Sequence, residues 1–192
     1  MDWVVKTIEI LVLKREMVKA SRFSICSFLD EYRKHGINFW GLTAMNEPTN
    51  GFQPDFPFNC MGWNATTQGE WIGKYFGPTL MASNHSNIKL MILDDQRPLA
   101  PNWCREIFAN KEAEKFIGGV AVHWYLDREF DLPLALDQVH QEFPDKFIMY
   151  TEACTGEGEV LSYDITIVLY LTWFTGGSHI KILKTGTFLS WF

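Results

Sequence analysis

Two glutamates stand about a hundred residues apart, each at the end of a short apolar run. The first run, Phe39-Trp40-Gly41-Leu42-Thr43-Ala44-Met45, breaks at Asn46-Glu47-Pro48. The second, Phe147-Ile148-Met149-Tyr150, gives way to Thr151-Glu152-Ala153-Cys154. Short runs of this composition predict buried strands. Pro48 biases Glu47 toward an extended backbone, which sends its side chain out of the strand end in a defined direction. Taken singly, Asn46-Glu47-Pro48 reads equally well as an ordinary strand-to-loop junction with an exposed acid. As a pair, the two carboxylates are what glycosidic cleavage needs: one protonates the leaving oxygen, the other attacks the sugar carbon or activates water. A parallel barrel would deliver both, because all its strands end on one face.

The elements between the two acids repeat the pattern. Ile88 to Leu93 predicts a strand that ends in Asp94-Asp95-Gln96-Arg97, a polar end that competes with a plain solvated turn. Val120 to Val122 predicts another, stopping at His123-Trp124-Tyr125. A histidine after a strand is by itself more often packed or hydrogen-bonded than catalytic. Between Arg22 and Lys34, Ile25, Phe28, Leu29 and Tyr32 recur at helical spacing, with Gly36 as the stop. Thr67-Gln68-Gly69-Glu70 fits a capping box with Thr67 at the N-cap, and Trp71, Ile72, Tyr75 and Phe76 share one side of the helix behind it. Further helices are expected from Pro101 to Ala109, with the proline in the first turn, from Lys111 to Ile117, closed by Gly118-Gly119, and from Leu132 to Glu142. Residues 49–64 predict a long loop, and Pro54, Phe56, Pro57, Phe58 and Trp63 suit a rim that shapes a pocket.

Four strand-helix units follow, each strand ending in polar or aromatic groups. Alternation of this kind implies an α/β chain with a parallel sheet and right-handed crossovers. The expected organisation is a poorly defined segment 1–20, a domain over 21–177 and a tail 178–192.

Composition narrows the classes. With 192 residues and 47% hydrophobic content, one domain with a sizeable core is expected. A net charge of −6 argues against a nucleic-acid surface. Aromatics at 15% serve a core first, although sugar sites also use aromatic platforms. Cys26, Cys60, Cys104 and Cys154 form no Cys-x-x-Cys pair, which speaks against zinc and leaves a disulfide framework open. Nothing in the sequence calls for a metal or a cofactor. Met1 to Met17 carries Asp2, Lys6 and Glu9 and does not read as a signal peptide. The run Ile165 to Phe174 is too short to span a bilayer. Asn64-Ala65-Thr66 and Asn84-His85-Ser86 make Asn64 and Asn84 glycosylation candidates if the protein enters the secretory path.

Taken together, the stretches ending at Asn46-Glu47-Pro48, at Leu93-Asp94-Asp95-Gln96-Arg97, at Ala121-Val122-His123-Trp124-Tyr125 and at Thr151-Glu152-Ala153-Cys154 resemble the glucosylceramidases. These are the lysosomal acid β-glucosidases of glycoside hydrolase family 30. Pro57-Phe58-Asn59-Cys60 and Gly77-Pro78-Thr79-Leu80 share the likeness, which covers roughly residues 28–156. The resemblance implies a partial (β/α)₈ barrel, which in the family carries an appended β-domain, and hydrolysis of glucosylceramide with retention of configuration. It implies Glu47 as general acid/base and Glu152 as nucleophile. By the same resemblance Asn46 meets the sugar 2-hydroxyl, while Gln96, His123 and Tyr125 complete the glucose pocket and orient the acids. Glu47 must then be protonated while Glu152 is ionised, so their environments must push the two pKa values apart. Glucosylceramide or another β-glucoside, a saposin-type activator, an anionic membrane surface, a lysosomal location and an acidic optimum are implied for the full-length enzyme.

The chain also departs from the family. Four strands are readable where a barrel closes with eight; the first three and an N-terminal β-segment are expected upstream. Similarity fades after about residue 158: Ser162-Tyr163-Asp164-Ile165 and the stretch Leu171 to Gly177 follow the family only loosely. A partial barrel leaves two unpaired edges and an uncovered apolar face, so the chain alone is expected to be unstable or aggregation-prone unless it dimerises. Two readings stand: a working part of a retaining β-glucosidase, or a fragment of one that lacks a competent pocket. A carbohydrate-binding module is a distant third, since binding alone has no need of paired acids.

Overall fold

The computed structural model describes residues 7–57, 60–126, 133–152 and 188–189. Expectations placed on Phe58, Asn59, Leu132 and Cys154, on the stretches 162–165, 165–174 and 171–177, and on all of the tail 178–192 except Phe188 and Leu189 lie outside those residues.

The chain opens with helix α1 (Thr7–Lys34). It begins upstream of Arg22, where apolar spacing predicts it, because Leu11, Leu13, Lys14, Arg15, Glu16 and Met17 favour helix without forming a clean stripe. Its end is a Schellman cap. Gly36 adopts φ 78°, its N–H bonds the Arg33 carbonyl at 3.0 Å, and the Ile37 N–H bonds the Tyr32 carbonyl at 3.1 Å. Ile37 is thereby used in the cap, and strand β1 shrinks to Gly41–Thr43.

Helix α2 (Ala65–Trp71) is capped by Asn64 and not by Thr67. The Asn64 Oδ1 accepts the Thr67 N–H at 2.8 Å and the Thr67 hydroxyl accepts the Asn64 N–H at 3.0 Å. The capping box thus sits earlier than expected, with Thr67 filling the place foreseen for Glu70. A π-helical stretch, Ile72–Phe76, carries the chain into α3 (Gly77–Ala82). Trp71 stacks on Phe76 at 4.6 Å and meets Trp63 edge-on at 5.1 Å. Trp63 therefore belongs to the core and not to the pocket rim expected of it.

Strand β2 (Lys89–Gln96) leads through a 3₁₀ turn, Arg97–Leu99, into α4 (Ala100–Ala109) and α5 (Lys111–Glu114). Strand β3 (Ile117–His123), helix α6 (Pro133–Glu142) and strand β4 (Phe147–Glu152) follow. Gly118 and Gly119 do not end a helix; they lie inside β3. A Cβ on Gly119 would fall 2.4 Å from the Phe147 ring, so the missing side chain is what lets that ring lie across the sheet.

The sheet order is β4-β3-β2-β1-β5 and all pairs are parallel. Strand β5 (Phe188–Leu189) pairs Phe188 with Gly41 and Leu189 with Leu42. The β1 edge is thus not bare as expected, because two residues of the tail occupy it. Strands β2 and β3 are buried nearly throughout, whereas β4 is half-buried at every position. The sheet is strongly curled. Trp40, just before β1, and Phe147 of β4 bring their ring centroids to 5.3 Å. Two strands lie between them, and a flat sheet would hold them about 14 Å apart. This curvature is that of a barrel wall, with four strands of a parallel (β/α) half-barrel in place. No helix among the described residues is long and apolar enough to cross a membrane.

Candidate active site

The curl that joins Trp40 to Phe147 at one end of the strands also gathers the other ends. Glu47 leaves the chain just after β1, Asp94 to Gln96 close β2, His123 closes β3 and Glu152 closes β4. The nearest carboxylate oxygens of Glu47 and Glu152 and a ring nitrogen of His123 all lie within 4.8 Å of one another.

His123 is the centre of the cluster and is fully buried. Its Nδ1 lies 2.9 Å from Glu47 Oε1 and 3.7 Å from Glu152 Oε2, and its Nε2 lies 3.1 Å from Asp94 Oδ1. Burial works against a charged ring here. The hydrogen bonds to Asp94 and Glu47, with the charges of Asp94 and Glu152, outweigh it and push the pKa up to about 10. With both nitrogens turned to carboxylates, the ring offers no lone pair to a cation, although the three groups have the spacing of a metal site.

Glu47 is held from several sides. Gln96 Nε2 donates to its Oε1 at 2.9 Å and Asn50 Nδ2 donates to its Oε2 at 2.5 Å. Gln96 in turn accepts the Leu126 N–H at 3.3 Å, which ties Glu47 to the loop after β3. The backbone of Glu47 is not extended: φ is 36°, and its N–H bonds the Asp94 carbonyl at 2.8 Å. That tertiary bond overrides the bias from Pro48. Glu152 receives the Tyr125 hydroxyl at 2.6 Å on Oε1. Asn46 is half-buried and directly precedes Glu47 in the chain. Asn64 and Asn84 are exposed and lie away from the cluster, Asn64 as the α2 cap and Asn84 with its carbonyl taken by Arg33 at 3.3 Å.

The end of β2 is not a solvated turn. Asp94 and Asp95 are both buried. Leu93 and Asp94 take φ 70° and 58°, and the pairing with β3 jumps from Leu93–Ala121 to Asp95–Val122, so Asp94 is the extra residue of a β-bulge. The Leu93 N–H bonds Gln68 Oε1 at 3.1 Å, which also accepts the Trp103 indole at 2.8 Å, so helix α2 supports the bulge from outside. Besides a jump near the start of the β2–β3 pairing, at Gly118, another lies on β4. Val122 pairs with Tyr150 and His123 with Glu152, leaving Thr151 as the extra residue. Its hydroxyl donates to Asp94 Oδ1 at 2.6 Å. Asp95 accepts the Thr49 N–H at 3.1 Å and the Thr49 hydroxyl at 2.7 Å. Burial raises the Asp95 pKa, opposed by its Thr49 and Gln96 hydrogen bonds and assisted by the charge of Glu47.

The loop that starts at Thr49 is closed at its base. A Cβ on Gly51 would lie 2.0 Å from the Gly62 nitrogen, so the two backbones touch where side chains would keep them apart. The Trp63 N–H bonds the Pro48 carbonyl at 3.1 Å. Phe52 projects from this loop and is 61% exposed.

Asp94, Thr151, Asn50 and Thr49 were not foreseen as site residues. An Asp-Asp pair at a strand end was the one sequence signal, and it competed with a solvated turn.

A curled parallel sheet that gathers two glutamates, a histidine and a glutamine at its strand ends defines a barrel glycosidase fold. The profile of the Glycosyl hydrolase family 30 TIM-barrel domain matches residues 16–173, and the chain belongs to this family. Among curated proteins it is 42% identical over 129 residues to "Lysosomal acid glucosylceramidase" of Mus musculus, covering 67% of this chain. It is 43% identical over 133 residues to "Putative glucosylceramidase 2" of Caenorhabditis elegans, covering 69%. The chain spans about a quarter (25%) of the length of each. In solved structures it superposes on SrfJ from Salmonella typhimurium with a TM-score of 0.72 at 24% identity, over 92% of this chain and 38% of that one. The endo-beta1,6-glucanase BT3312 gives a TM-score of 0.63 at 18% identity, over 73% and 30%. At those identities the two structures support the fold.

Proposed function

We propose that this chain supplies the acid/base and nucleophile of a retaining β-glucosidase that acts on glucosylceramide or a related β-glucoside. The observation that carries this reading is the approach of Glu47 and Glu152 oxygens to within 4.8 Å. Retaining enzymes hold their carboxyls about 5–5.5 Å apart, inverting ones about 6.5–9.5 Å apart to admit a water. In the first step the Glu152 carboxylate attacks the anomeric carbon while Glu47 gives its proton to the leaving oxygen. The product is a glucosyl ester on Glu152. In the second step Glu47 takes a proton from water, which attacks the same carbon and frees Glu152. The Tyr125 hydroxyl holds Glu152 Oε1, while Oε2 lies 3.7 Å from His123 Nδ1 and is left to attack. Asn46 meets the 2-hydroxyl, and Gln96 and His123 keep Glu47 in register.

The names of the relatives support the choice of aglycone and a lysosomal setting. An activator of the saposin type and an anionic membrane surface belong to the same proposal, as does glycosylation of the exposed Asn64 and Asn84.

A second reading has an observation in its favour. Strand β4 is half-buried at every position and ends the sheet among the described residues, and a fragment lacking the next barrel strand could keep both acids yet bind no sugar.

One experiment separates the two. The purified protein is assayed at about pH 5 with a fluorogenic β-glucoside, alongside Glu152→Gln, and a 2-deoxy-2-fluoroglucoside is used to trap the ester. Turnover that vanishes in the variant, with one hexose-sized mass addition at Glu152, upholds the retaining reading. A folded protein with neither turnover nor label selects the incompetent fragment.

A further inference from the structure

We propose that Asp94 is a positioning residue: from its bulge beneath the acid pair it holds the His123 ring through Nε2, and so sets Nδ1 against Glu47. This rests on the reading of Glu47 and Glu152 given above and deepens it.

Four observations converge. Asp94 is a carboxylate with no exposure, at the end of a strand where a solvated turn would serve as well. Its backbone and that of Leu93 lie at positive φ, a conformation that is strained for most non-glycine residues and persists where surrounding contacts impose it. Of the three register shifts in the sheet among the described residues, the one at Gly118 lies at the far end of β3, and the other two, at Asp94 on β2 and Thr151 on β4, flank the end of the strand that carries His123. The two bulged residues are hydrogen-bonded to each other behind the ring, Thr151 Oγ1 to Asp94 Oδ1 at 2.6 Å. An ordinary parallel register would leave one or both on other faces.

Asp94 also acts through its main chain. Its carbonyl accepts the Glu47 N–H at 2.8 Å. One residue therefore fixes the backbone of the proposed acid and, through His123, its side chain. Asp94 is buried beneath the ring and is not placed against the sugar. The groups facing the ring are Glu47 from the loop after β1, Asp94 from β2, Glu152 from β4 and Tyr125 from its own strand's loop. A carboxylate on Nε2 makes the ring more basic, which keeps the proton on Nδ1 so that it remains a donor toward Glu47 and Glu152. The same arrangement keeps the imidazole from rotating when the charge on Glu152 is consumed in the ester.

The test uses the full natural polypeptide containing these residues, with Asp94→Asn and Thr151→Val. Nitrogen-15 spectra of His123 are followed across pH, and kcat and KM are measured separately. In the unmodified protein Nε2 carries a proton at pH 7. In Asp94→Asn the His123 titration midpoint falls by more than one pH unit, and kcat falls roughly 10- to 100-fold with KM changed less than about twofold. Thr151→Val gives a smaller kcat loss in the same direction. A His123 midpoint that does not move in a folded Asp94→Asn overturns the proposal. If that variant does not fold, the unmodified spectrum decides: an Nε2 without a proton at pH 7 overturns it. The spectra need no turnover, so failure of the glucosidase reading and failure of this one are told apart.

Discussion

A histidine between two acids couples the site to pH in a direction opposite to the usual acid-labile carboxylate. The His123 pKa rises from 6.5 to about 10 on folding. Below pH 6.5 both the folded and the unfolded ring are charged, and the stabilisation is fully present. As pH climbs through that value the unfolded ring loses its proton while the folded one keeps it. The contribution then drains away and is gone above about 10. Urea unfolding at pH 6, 8 and 10 should therefore give a stability that falls across that window, and His123→Gln should flatten the fall. Tyr125→Phe belongs to the same scale. Without the hydroxyl on Glu152 Oε1 the proposed nucleophile loses its orienting donor, and kcat should drop by roughly tenfold with little change in KM; an equal rise in KM would make Tyr125 a plain sugar-binding group.

Elements deliver these side chains only because small local features let them curl and lock. Gly119 makes room for Phe147, which reaches across to Trp40 and draws β4 toward β1. Gly119→Ala should lower stability by about 1–3 kcal/mol through overpacking and shift β4 enough to depress activity. Adding Phe147→Leu should restore part of the stability, and a cycle with no coupling would mean that the ring does not set the curl. Asn64→Ala removes the α2 cap and with it one of the supports beneath Gln68 and the β2 bulge. The expected loss is about 1 kcal/mol, a fall in melting temperature of about 2–4 °C for a chain of this size, with kcat nearly unchanged.

At the scale of the molecule, the alternating strands and helices were legible because each apolar run ends in groups of a different character, as at Leu93-Asp94 and Tyr150-Thr151-Glu152. The two proposed catalytic glutamates could be named from those ends, whereas Gln96, His123 and Tyr125 entered only through the resemblance to the family. The bulges could not be named from either. Leucine disfavours the positive φ it adopts at position 93, and although aspartate tolerates it better than most side chains, two such residues in a row at 93 and 94 are held by the packing of Gln68, Glu47 and Thr151 around them. Thr67 was misplaced in the capping box because Asn64 offers the same chemistry a few residues earlier. The tail strand Phe188–Leu189 had no visible partner in the sequence, since a two-residue pairing carries no periodicity. The half-buried β4 edge predicts that the chain alone elutes as an oligomer, or binds a hydrophobic dye, and that a longer polypeptide with further barrel strands does neither. The contact between Gly51 and Gly62 has a consequence for redesign. Where two main chains press together at the neck of a loop, the stretch between them should behave as a replaceable cassette: residues beyond the neck can be exchanged, lengthened or reshaped while the frame that carries Glu47 stays where it is.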